Sequence, residues 1–270
     1  MGYTRAVFAA KPDAKPTLTR VEGGLRPQTL ETLTTPFNTM VVRKIGARID
    51  LDVEGATYAT WHPDAVLTGY SWDGLSVACL LGRQQRPRSV LLLGLGGGTV
   101  ARQLLHFCPG VQITGVEIDP GVVDIARRHL HLDARVTVVV EDAYAYLARA
   151  AETFDVVIDD LFLTGATDVV RARVPEGDTL ALLRKRLNPG GLVVCNLITD
   201  VGDHAAVRRR TRAAFRSAFD SARVVRPPRG LNEILVGGAS VAAKSALKPY
   251  AASLSVGDRA LFDAIAVTKL

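Results

Sequence analysis

Gly94, Gly96, Gly97 and Gly98 directly follow the apolar run Ser89–Leu93, and Glu117 stands a little over 20 residues beyond the first glycine. Without Cβ atoms, these glycines permit a tight turn and a close approach of backbone N–H groups to a ligand. Residues 99–106 are predicted to form a helix whose positive end faces the same point. A carboxylate closing the next strand, 111–116, is placed to accept both hydroxyl hydrogens of a ribose. Asp142 and the pair Asp159 and Asp160 close two further apolar runs. In open α/β sheets ligands bind beyond the carboxyl ends of the strands, so these acids converge on one edge. Asp142, followed by small Ala143, offers an acceptor for an adenine amine beside a flat slot.

The elements that must position these groups alternate. From Ser89 onward strands and helices follow one another, as in a layered α/β sheet. Strands are expected at 135–140, 154–158 and 192–197, with a helix at 178–187 that ends in Asn188-Pro189-Gly190-Gly191. Residues 222–225 and 231–236, joined by Pro227-Pro228-Arg229-Gly230, must pair antiparallel because the turn is so short. Two short helices split at Lys248-Pro249 are expected to end the chain. Before the sheet, residues 36–62 alternate in period two and predict a small antiparallel unit of two to four strands. The division expected is a tail at 1–35, a small β domain with linker helix at 36–82, and an adenosyl-binding catalytic domain at 83–270.

The glycine loop, Glu117, Asp142 and a terminal antiparallel hairpin together resemble class I S-adenosylmethionine-dependent enzymes. More narrowly, LLGLGGGTVARQL, GVEIDPGVVDIARRHL, VVVEDAYAYL, FDVVIDDLF and LNPGGLVV, in this order, resemble the spermidine synthase family and its methyltransferase-like relatives. The resemblance covers about residues 36–238. It implies a Rossmann-like, mostly parallel sheet with a small N-terminal β domain. It also implies that Gly94, Gly96 and Gly98 wrap a nucleoside, Glu117 binds its ribose, Asp142 its adenine amine, and Ile118 flanks the ring. Asp159 is grouped with the cofactor set, although a cap or an outward-facing position is an equally simple reading. Asp160 is the candidate base or amine anchor. Tyr70 and Trp72 stand where the family places an aromatic residue against the substrate, with Trp72 favoured.

Two positions depart from that family. The loop acid that holds the donor's ammonium in aminopropyltransferases aligns with Gly97, and the second carboxylate that grips a diamine aligns with Leu163. A dicationic amine in a desolvated slot needs compensating charge. Bare glycine N–H groups, in turn, can accept the carboxylate of intact S-adenosylmethionine. The expectation is therefore methyl transfer from S-adenosylmethionine, leaving S-adenosylhomocysteine, to a small molecule, with an aromatic or secondary metabolite as the candidate acceptor. Aminopropyl transfer to a polyamine is the alternative. A non-catalytic adenosyl-binding protein is a third reading, and a nicotinamide-dependent dehydrogenase a fourth, disfavoured because Thr99 stands where Gly or Ala is usual. Trp61 and His62 could form a lid, Tyr144 and Tyr146 read as packing, and Glu233 could reach the substrate side.

Composition narrows the partners. The formal charge is +6, yet the arginines of 208–216 fall opposite Val207, Thr211, Ala214, Phe215 and Ala218 and are expected on a solvated face. With 6% aromatic residues there is no stacking platform for a nucleic acid. Cys79, Cys108 and Cys195 lack metal-ligand spacing, so no metal is expected. No apolar run reaches the roughly 18–20 residues of a membrane span. A cytoplasmic homodimer or higher homo-oligomer acting on a small molecule is the resulting expectation.

Overall fold

A computed structural model describes residues 26–82, 86–164, 169–199 and 203–270. Four strands, β1 (Gln28–Thr34), β2 (Thr39–Ile45), β3 (Arg48–Val53) and β4 (Ala56–Trp61), form an antiparallel sheet in sequential order. The first of them lies within the stretch expected to be tail, because Thr29, Glu31 and Leu33 alternate against β2; residues 1–25 lie outside the described residues. Met40, Val42, Leu51, Val53 and Ala59 point from this sheet onto Val122, Ile125 and Leu130 and form a core of their own.

Helix α1 (Ser71–Cys79) leads into an eight-stranded sheet. Its units follow as β5 (Ser89–Leu93), α2 (Thr99–Phe107), β6 (Gln112–Glu117), α3 (Pro120–His129), β7 (Val136–Val140), α4 (Ala143–Arg149) and β8 (Phe154–Asp159). A short hairpin, β9 (Phe162–Thr164) and β10 (Val169–Arg171), precedes α5 (Gly177–Lys185), β11 (Leu187–Ile198) and α6 (His204–Ala218). Strands β12 (Ser221–Arg226) and β13 (Asn232–Gly238), a 3₁₀ helix (Lys244–Ser253), α7 (Val256–Ala264) and β14 (Ala266–Lys269) complete the chain. The order across the sheet is β14-β12-β13-β11-β8-β5-β6-β7. The five strands from β11 to β7 run parallel, and β13, β12 and β14 pair antiparallel.

Strand alternation sorts the core into two layers. Val90 and Leu92 face α1, α2 and the C-terminal helices, whereas Leu91 and Leu93 face α4, α5 and α6. Burial on both faces explains why β5 reads as a continuous apolar run. Three expectations shift. The Asn188-Pro189-Gly190-Gly191 stretch lies inside β11 as a break in register against β8, not between a helix and a strand. The hairpin β9–β10 and edge strand β14 were not foreseen, since each is only three or four residues long. The end of the chain therefore holds a 3₁₀ helix containing Pro249, one α-helix and a strand.

The segment joining the two sheets is tied down by buried side chains. Asp73 accepts from the backbone N–H of Thr68 and Gly69 and from Gln103 Nε2. Asp258 accepts from the N–H of Val66 and Leu67. Arg102 donates to the carbonyls of His62 and Ala65. No described helix is long and apolar enough to cross a membrane.

Candidate active site

A cavity of about 740 Å³ opens at the carboxyl ends of the parallel strands, roofed by residues of the small sheet. It is lined at successive strand ends by Gly94 and Gly96, by Glu117 and Ile118, by Asp142 and Ala143, by Asp160, and by Asn196. Its size is that of a small-molecule site.

The nucleoside half lies beyond β6 and β7. Glu117 Oε2 accepts the Gly96 N–H at 2.9 Å and Oε1 accepts the Asp119 N–H at 3.2 Å. Burial nevertheless holds its carboxyl above the ordinary value. Asp142 caps α4, with Oδ1 accepting the N–H groups of Tyr144 and Ala145 at 3.0 and 2.9 Å. Asp142 also lines the cavity, and its Oδ2 takes no part in the cap. Tyr144 adds a wall that sequence reasoning assigned to packing. Its ring lies under the Arg173 guanidinium at 4.0 Å, and its buried hydroxyl has no partner among the described residues. Asp119, at the start of α3, accepts from Thr35 Oγ1 and Asn38 Nδ2 and so draws the β1–β2 loop, with Phe37, over the same end.

The glycine loop differs from its expected role. The N–H groups of Gly94 and Leu95 go to the Val116 carbonyl, that of Gly98 to Leu95, and that of Gly96 to Glu117. These donors are spent within the protein, so they are not free for a ligand carboxylate. Gly97 and Gly98 do not line the cavity. A Cβ on Gly97 would lie 2.3 Å from Leu130 Cδ1 and 2.4 Å from Ala59, and one on Gly98 would meet Leu132 Cδ1 at 2.6 Å. Glycine at 97 is therefore set by packing against the small sheet and the end of α3, and says nothing about the donor. At Gly94, with φ +84°, a Cβ would lie 2.5 Å from the Asp160 carbonyl, so this glycine lets the end of β8 approach.

Beyond β8, β11 and β13 lies the other half. Asp160 Oδ1 accepts from Asn196 Nδ2 at 2.8 Å, and Asn196 Oδ1 accepts from Asn232 Nδ2 at 3.0 Å. Burial raises the Asp160 carboxyl to about 6, against the opposing pull of Asn196 and Arg171. The two asparagines were missed; Asn196, a polar residue in the apolar run VVCNLI at a carboxyl strand end, was the available signal. Trp72 lines the cavity, and Tyr70 stands behind it with ring centroids 6.4 Å apart.

Four expectations move away from the site. Asp159 is fully buried and paired with Arg171 of β10, whose guanidinium also donates to the Asn196 carbonyl at 2.8 Å. It fixes the β9–β10 hairpin to the sheet instead of touching a ligand. Tyr70 is outside the lining, as are Trp61 and His62: Trp61 packs on His131 at 4.3 Å, and His62 caps its own turn through Asp64. Glu233 points the other way, into Arg208, Arg212 and Arg226 at 3.0, 2.8 and 2.9 Å. Burial pushes its carboxyl up, but the hydrogen bonds from Arg208 and Arg212 outweigh that and hold it low. Those two arginines thus leave the solvated face on which all were expected.

The wall carries Glu117, Glu141, Asp142 and Asp160, and no Lys, Arg or His among the described residues. Residues 77–224 match the family model described as the spermine/spermidine synthase domain. A Bifidobacterium longum protein named probable polyamine aminopropyl transferase is 34% identical over 164 residues, 60% of this chain and 35% of that protein. The polyamine aminopropyltransferase of Aeropyrum pernix is 36% identical over 141 residues, 47% of this chain and 43% of its own. The chain thus spans well under half the length of these relatives. Spermidine synthase from Thermotoga maritima shares the fold, with a TM-score of 0.66 at 17% identity over 92% of this chain and 94% of that one. These relatives overturn the expectation of methyl transfer, and the loop donors of Gly94, Leu95, Gly96 and Gly98 on which it leaned are already taken within the protein. The chain belongs to the spermine/spermidine synthase family.

Proposed function

We propose that the chain transfers a 3-aminopropyl group from decarboxylated S-adenosylmethionine to a primary amine, as the names of its relatives suggest. The observation that carries this reading is the charge of the cavity wall, with four carboxylates and no described basic side chain. Donor and acceptor both bring positive charge, and a desolvated cation is costly unless an anion faces it. In this reading Glu117 takes the ribose hydroxyls, Asp142 the adenine amine, and Ile118 and Ala143 the ring faces. Asp160 is left for the acceptor. The unprotonated amine attacks the propyl carbon beside the sulfonium; the N–C bond forms as the C–S bond breaks. The electron pair stays on sulfur, giving methylthioadenosine, and the new ammonium gives up one proton. The sulfonium is a good leaving group, so the protein's task is in-line placement and orientation of the amine by Asp160. The test is methylthioadenosine release from decarboxylated S-adenosylmethionine with a panel of amines. Binding of the donor without release for any amine would overturn the proposal.

A further inference from the structure

The acceptor half has an unusual wall for a site that takes amines. Asp160 is its sole carboxylate among the described residues, and Leu161, Phe162, Leu163, Ile198, Leu231 and Trp72 line the cavity with it. Leu163 and Leu231 are 52% and 60% exposed, apolar surface left facing the open cavity. Phe162 is held in place by the Arg171 guanidinium over its ring at 5.1 Å, and Arg171 is itself locked to Asp159. The apolar wall is thus built on a buried ion pair, not on loose side chains. Exposed apolar residues gathered in one cavity mark a surface that a ligand covers.

Resting on the aminopropyl-transfer reading above, we propose that the preferred acceptor is an amine with one ammonium and an apolar body, alkyl or aryl, instead of a short diamine. The single nitrogen sits at Asp160, oriented through the Asn196–Asn232 chain, and the hydrocarbon lies along Phe162, Leu163 and Leu231. A second ammonium carried four carbons away from the first would lose hydration against the hydrocarbon of Phe162, Leu163 and Leu231, which disfavours it. The bond changes are those already given, with the alkylamine nitrogen as the attacking atom.

The experiment compares 1,4-diaminobutane with butylamine, hexylamine and 2-phenylethylamine as acceptors, reading methylthioadenosine release. Hexylamine should exceed the diamine in kcat/KM by tenfold or more. From butylamine to hexylamine the value should rise about threefold to fourfold per methylene, the ratio expected for hydrocarbon burial. Leu163→Asp should reverse the order in favour of the diamine, with Leu231→Asp as a second variant at an equally exposed position. A diamine preferred tenfold by the parent protein would overturn this inference and leave aminopropyl transfer standing. Calorimetric binding of the same amines in the presence of methylthioadenosine reads the wall without turnover. If no amine supports release, aminopropyl transfer falls; the acceptor wall then still stands if hexylamine binds more tightly than the diamine, and falls with it if the diamine binds as tightly.

Discussion

Replacing Asp160 with Asn should stabilise the protein while removing its activity. Ionising a carboxyl whose folded-state value is about 6 instead of 3.8 costs the fold about 3 kcal/mol, at about 1.4 kcal/mol per pH unit. Solvent at its partly exposed rim reduces this to about 2 kcal/mol. Asn keeps the shape, and its Oδ1 can still accept from Asn196. Because the folded value lies above the unfolded one, the cost is absent below about pH 4, grows as pH rises toward 6, and is constant beyond. Denaturant melts of Asp160→Asn and the parent should therefore coincide at pH 3.5. At pH 8 they should separate by about 2 kcal/mol in favour of the variant, roughly 5 °C in Tm. Activity should be lost at every pH. A variant that is less stable at pH 8, or equally displaced at both values, would refute the account of Asp160 as a desolvated carboxylate held for function.

Arg171→Met would leave Asp159 buried without its partner and should cost about 3–5 kcal/mol in a denaturant melt, with the double variant Arg171→Met, Asp159→Leu recovering most of it. Loss of under 1 kcal/mol would mean that the pair does not hold the hairpin. Gly97→Ala should destabilise by about 1–3 kcal/mol through its contacts with Leu130 and Ala59, while leaving the Kd for methylthioadenosine unchanged, because position 97 faces away from the cavity. Asp142→Ala should cost about 1 kcal/mol of stability as a lost helix cap. It should also weaken methylthioadenosine binding about tenfold or more, as loss of a charged acceptor does; calorimetry separates the two effects.

The parallel strands were legible as short apolar runs, four of the five closed by a glycine or an acid, and the edge at which those acids meet followed from topology alone. Glu117, Ile118, Asp142, Ala143 and Asp160 indeed line one cavity. What sequence could not supply was direction. Gly97 and Asp159 sit beside ligand-facing residues in the chain, yet one points into the small sheet and the other into a buried arginine twelve residues downstream in the hairpin. Strand alternation explains Asp159, since neighbours at a strand end face opposite sides of the sheet. The Arg-rich helix misled for a related reason. Periodicity locates its apolar stripe, but Glu233, which draws Arg208 and Arg212 inward, comes from a strand some twenty residues later. Strand β14 is too short to announce itself against the helical pattern before it.

The carboxylates of Asp73 and Asp258 bear on motion as well as on architecture. A connector between two sheets is the usual place for a hinge, yet here four successive backbone amides, Val66 to Gly69, donate to buried carboxylates, and Arg102 holds the carbonyls just ahead of them. Amides in a loop ordinarily exchange with solvent deuterium almost as fast as in a free peptide; these should persist nearly as long as those of the central strands. The two sheets would then breathe as one body, and passage of small molecules in and out would fall to side chains at the rim.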